Sequence, residues 1–135
     1  MVYEISSLKE TEKLAKKIAK NIVAYDTILL RGDIGAGKTT ITSLILKNLG
    51  VKTDVVSPTF ALVWTHKGKI GQINHFDLYR VEKVDELMEV GFDELIANGT
   101  NFIEWPELVK DKLKNFKEIF IEKFGDTKRR VTLWF

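Results

Sequence analysis

The chain has 135 residues, 44% hydrophobic and 30% charged, enough for one domain with a substantial core and too few for two. Its 21 basic and 19 acidic residues are well mixed and leave a net charge of +2, so no global field draws it to DNA or RNA. No apolar run approaches the about 18 residues of a membrane-spanning helix, and the absence of cysteine excludes disulfides and thiolate metal sites. The start, MVYEISSLKE, lacks the basic and apolar regions of a signal peptide, so a cytoplasmic protein with no membrane or DNA partner is expected.

Val2 to Ile5 reads as a short strand, and Ser7 with Glu10 matches a capping box, so a helix should begin at Leu8. Leu8, Thr11, Ala15, Ile18 and Ile22 recur at helical spacing and define its packed face. Thr27 to Arg31 reads as a buried strand, RGDIGAGKT as a loop, and Thr39 to Leu49 as a helix with Ile41, Leu44, Ile45 and Leu49 facing the sheet. The alternating stretch from Asp54 to Phe76 suggests a hairpin turning at Lys67-Gly68. Residues 83 to 97 read as two short helices broken at Gly91. A strand at Asn101 to Glu104, a helix from Pro106 to about Leu113, and two strands across Gly125-Asp126 complete the order. Early alternation of strand and helix with a closing hairpin predicts an α/β, three-layer domain with a mixed β-sheet, a single unit over residues 1–135.

Gly32-Asp33-Ile34-Gly35-Ala36-Gly37-Lys38-Thr39 satisfies G-x-x-x-x-G-K-[ST], the Walker A pattern, between a predicted strand and a predicted helix. Glycines let the backbone turn its N–H groups around phosphate oxygens at the positive end of the helix. Lys38 would reach the β and γ phosphates, and the Thr39 hydroxyl would ligate Mg²⁺. Thr40 serves an α-phosphate or the helix backbone equally well.

Such a site needs a second acidic group at a neighbouring strand's end. Asp77 and Glu104 both qualify, and each has a plain structural alternative: a helix or turn cap for Asp77, and a solvated residue before a Pro-initiated helix for Glu104. Ser57-Pro58-Thr59-Phe60 is either a nucleotide-sensing switch or an ordinary Ser-Pro turn. His75 on an apolar strand reads as structural, and Arg80 either clamps phosphate or pairs with an acid such as Glu82.

Taken together, GDIGAGKTT, VVSPTFALV, HFDLYR and FIEWPE resemble, in order and spacing, the TsaE (YjeE) family of small ATPases in bacterial tRNA threonylcarbamoyladenosine synthesis. The resemblance implies a P-loop NTPase-like, Mg²⁺-dependent ATPase required for forming N6-threonylcarbamoyladenosine at position 37 of tRNAs. It implies work with the TsaB-TsaD complex, which hydrolysis drives or resets, and contact with tRNA only through that complex. On matching positions, Gly35, Ala36, Gly37, Lys38, Thr39 and Thr40 would bind ATP phosphates, Thr39 and Glu104 would ligate Mg²⁺, and Lys38, Asp77 and Glu104 would carry the chemistry. Thr11, in a Glu-Thr element, and Arg130, near the terminal strands, resemble positions flanking the nucleotide; otherwise they are a helix-face residue and part of a surface Lys-Arg-Arg run. The main alternative is a small-molecule P-loop kinase, but the chain's four arginines form no lid segment. A GTPase is disfavoured by the lack of an [NT]-K-x-D element, and a slowly hydrolysing, nucleotide-gated binding module overlaps with the family role.

Overall fold

Seven strands and four helices follow one another in a computed structural model that describes residues 1–55 and 62–135. Ser57 to Phe60, read as either a nucleotide-sensing switch or a Ser-Pro turn, lies outside the described residues. In chain order the elements are β1 (Val2–Ile5), α1 (Leu8–Ala19), β2 (Thr27–Arg31), α2 (Lys38–Asn48), β3 (Val63–Gly68), β4 (Gly71–Asp77), α3 (Val84–Glu89), α4 (Phe92–Asn98), β5 (Thr100–Glu104), β6 (Lys117–Phe124) and β7 (Lys128–Trp134). The strands form one mixed sheet in the order β1-β7-β6-β2-β5-β4-β3. Its centre, β6-β2-β5-β4, is parallel, while β1-β7, β7-β6 and β3-β4 pair antiparallel.

Two apolar layers follow from period-two alternation along these strands. Ile28 and Leu30 of β2, Phe102 of β5 and Ile119 of β6 pack beneath α1 and α2 through Ile18, Ile41 and Ile45. Leu29, Phe76 and Ile103, one residue out of phase, pack on the opposite side against Leu87, Phe92 and Val109. Phe76 and Phe92 meet edge to face, their ring centres 5.1 Å apart. The expected α/β, three-layer architecture with a mixed sheet is the observed one. A buried amide pair links α4 to the sheet: Asn74 Nδ2 donates to Leu95 O and Asn101 Nδ2 to Ile96 O, satisfying carbonyls that a helix end leaves free.

The capping box holds, with the Ser7 hydroxyl accepting from the Glu10 amide at 3.1 Å. Several local expectations need correction. Leu8 is 61% exposed; the buried face of α1 is Leu14, Ala15, Ile18 and Ala19. On α2, Leu46 and Thr42 are buried and Leu44 is only half-buried, so the packed face is rotated from the expected one. The hairpin turns at Lys69-Ile70, since Gly68 pairs with Gly71 across a two-residue loop. Pro106 starts only a 3₁₀ turn (Pro106–Leu108), followed by a second (Lys110–Lys112), where an α-helix was expected.

Candidate functional site

Three parallel strands end at one edge of the sheet. Leu30 of β2 is paired with Glu104, and Asp77 is paired with Glu104 from the other side, so the loop after β2 and both candidate carboxylates converge there. This is where ligands gather in open α/β sheets. Gly32, with φ near +151°, opens the loop; an added Cβ would stand 2.6 Å from the Ile121 carbonyl oxygen. Gly37, with φ near +107°, precedes α2 and offers no side chain to cap it, so the first-turn N–H groups are free to meet an anion.

A cavity of about 450 Å³ fills the corner, lined by Gly35, Gly37, Lys38, Thr39 and Thr40 of the loop and helix and by Asp77 and Glu104 of the strands. Thr39 Oγ1 lies 3.0 and 3.2 Å from the two oxygens of Glu104. Glu104 is only 2% exposed, which removes the solvated alternative for it. A hydroxyl and a carboxylate are hard oxygen donors of the kind Mg²⁺ takes one or two at a time, leaving its other positions to phosphate and water. The donor set therefore fits a divalent cation.

Asp77 is also buried; its Oδ1 accepts from the Tyr79 amide at 3.0 Å, so it shapes the turn after β4 while facing the cavity. Lys38 is buried and folded back, its Nζ donating to the Gly32 carbonyl and, at 3.1 Å, to that of Asp33. The Trp105 ring covers this ammonium at 4.0 Å from its centre. Burial pulls the Lys38 pKa below its ordinary 10.5, against the opposing pull of Glu104, Asp77, Asp33 and Glu107. Trp105 itself has a left-handed backbone, φ 56°, and its ring lies 4.9 Å from that of Tyr79. Arg80 lines the same cavity.

A second cavity of about 340 Å³ adjoins the first between the start of α1, the loop and the β6-β7 turn. Thr11 lines it, and Thr40 borders both cavities. Thr11 also acts as the helix residue it resembled, its hydroxyl donating to Ser7 O at 3.0 Å. Arg130 reaches neither cavity: it stacks on Phe124 at 4.3 Å and pairs loosely with Glu4. The neighbouring Arg129 lines the second cavity instead and donates to the Ala36 carbonyl at 3.0 Å.

Residues 5–131 match the family model described as "Threonylcarbamoyl adenosine biosynthesis protein TsaE". The chain belongs to the TsaE family. Proteins named tRNA threonylcarbamoyladenosine biosynthesis protein TsaE from Rickettsia conorii, Aquifex aeolicus and Bacillus subtilis are 38, 37 and 35% identical to it. These matches cover 98, 96 and 92% of this chain and 77, 92 and 78% of the relatives. The crystal structure of Bacillus subtilis YdiB superposes with a TM-score of 0.78 at 28% identity, covering 98% of this chain and 83% of that one.

In this TsaE-family chain, sequence reasoning missed two neighbours of the site. Arg129 could have been separated from Arg130 by strand parity, since it shares a face with buried Val131. His75 could have been found the same way: it lies two residues before Asp77, and its Nε2 is 2.5 Å from Glu104 Oε2.

Proposed function

We propose that this chain is a Mg²⁺-dependent ATPase that acts in forming N6-threonylcarbamoyladenosine at position 37 of tRNAs, with a nucleotide state that governs its docking on a TsaB-TsaD complex. The observation that carries the reading is the meeting of Thr39 and Glu104 at the mouth of an intact Walker A loop. Family membership and the names of the relatives support the pathway.

The backbone amides at the start of α2 would hold the phosphates. Lys38 would exchange its bonds to the Gly32 and Asp33 carbonyls for phosphate oxygens, so binding needs no new charge in the pocket, only a redirected one. Thr39 and Glu104 would hold Mg²⁺, which when bound supplies neutralisation of charge on the phosphate oxygens. Asp77 lies on the same side of the sheet and would orient the attacking water. The second cavity, partly apolar through Ile5, Leu8 and Ile41 and joined to the first at Thr40, suits the nucleoside. Thr11 and Arg129 would flank it.

ATP turnover measured alone, with TsaB-TsaD and with a panel of small acceptors tests the proposal. Hydrolysis dependent on Mg²⁺ and altered by the partner complex is the expected result; efficient phosphorylation of an acceptor would replace the ATPase with a kinase.

A further inference from the structure

His75 has no exposed surface and lies on the same face of β4 as Asp77, the face that carries Glu104 on β5. Its Nε2 stands 2.5 Å from Glu104 Oε2, and its Nδ1 is buried without a hydrogen-bond partner among the described residues. A carboxylate can only accept, so the ring hydrogen belongs on Nε2 and is donated to Glu104. We propose that His75 is a positioning residue that fixes the Glu104 carboxylate for cation binding, an inference that rests on the metal-ligand reading of Glu104 given above.

The two carboxylate oxygens have different partners. Thr39 Oγ1 is almost equally far from both, and one hydroxyl hydrogen cannot hold two oxygens. His75 engages Oε2 alone, which sets the rotation of the carboxylate about its terminal bond and leaves Oε1 for a cation. A cation held by the Thr39 oxygen would leave that hydroxyl unable to donate to Glu104, and the imidazole would remain as the anchor. Without it, a side chain with three rotatable bonds must be ordered by the cation itself. A purely packing role does not account for the residue, because a phenyl ring would fill similar volume with no buried nitrogen left unpaired. Outer partners of metal ligands typically change metal affinity about 10- to 100-fold.

The test uses Mn²⁺ as probe, with free Mn²⁺ followed by electron paramagnetic resonance in the presence of a non-hydrolysable ATP analogue, alongside thermal melting and metal-free analogue binding. His75→Phe is expected to stay folded and bind the analogue without metal as wild type does, yet to hold Mn²⁺ about 10- to 100-fold more weakly. His75→Gln, whose amide nitrogen reaches the place of Nε2, should recover most of that loss, and the shorter His75→Asn should not. Wild-type Mn²⁺ affinity in the Phe and Asn variants, or a Gln variant no better than Asn, overturns the positioning role. If His75→Phe fails to fold, the Gln and Asn pair decides. A wild-type protein that gains no Mn²⁺ site with the analogue defeats the metal reading and this inference with it. Wild-type binding that is lost in Glu104→Gln but unchanged in every His75 variant defeats the inference alone.

Discussion

Glu104→Gln should separate holding the metal from holding the fold. The glutamine is isosteric and meets the same two neighbours: its carbonyl accepts from His75 Nε2, and its amide donates to the Thr39 oxygen, which reverses the hydroxyl. Bonds to a charged acceptor contribute about 1.5–3 kcal/mol and neutral ones about 0.5–1.5, so two exchanged bonds cost about 2–3 kcal/mol. Removing a buried charge returns part of that, leaving a net change within about 2 kcal/mol. With an unfolding entropy near 2.1 cal/mol/K per residue, a chain of 135 residues shifts its Tm by at most about 7 °C. The loss of an anionic ligand should exceed the about 10- to 100-fold typical of outer partners. Calorimetric titration of nucleotide with and without Mg²⁺, paired with thermal melts, reads both quantities. A folded Glu104→Gln protein whose nucleotide affinity and turnover respond to Mg²⁺ as wild type does would refute the assignment.

Lys38→Met should abolish phosphate-dependent nucleotide binding while changing stability in a pH-dependent way. Because burial holds the Lys38 pKa below 10.5, the unfolded chain keeps that proton when the folded one has lost it, and wild-type stability rises with pH across that window. Denaturant unfolding should therefore show the stability of Lys38→Met relative to wild type falling as pH approaches 10.5; a difference that stays constant would contradict it. Gly32→Ala should cost at least about 1–3 kcal/mol, since the new methyl meets the rigid Ile121 carbonyl and the positive φ is disfavoured, and a melt within 2 °C of wild type would count against it. Arg129→Ala should weaken ATP binding more than Arg130→Ala does, as read by fluorescent nucleotide displacement; the opposite order would return the role to Arg130.

Patterns carried by consecutive residues are legible in the sequence alone. The capping serine, the buried TILLR strand and the glycine loop between β2 and α2 each depend on a few adjacent side chains, and all stand where their spacing put them. What failed was orientation. Leu8 fits a helical stripe but is exposed, and Arg130 sits one residue from Arg129 yet on the opposite face, a distinction that period-two alternation makes once β7 is placed. Glu104 is undecidable locally because Pro106 does start a turn, as its plain alternative required; burial beside Thr39 removes the solvated alternative. His75, the partner of its second oxygen, shares a face with Asp77 by local alternation, but its contact with Glu104 comes from the pairing of β4 with β5.

The adjacency of β2 and β5 also bears on how the protein is made. The glycine loop and α2 emerge well before the strand they meet, since Thr39 contacts a carboxylate 65 residues further along the chain. β6, which flanks β2 on its other side, is later still, and β7 must then return to pair with β1 at the N-terminus. Contacts of such long sequence separation form late, because closing the intervening loop costs entropy before pairing can reward it. A nascent chain that has emerged only through α2 thus carries its glycine loop without the carboxylate that Thr39 meets, and the cavity at the sheet edge is complete only once β4 and β5 have joined.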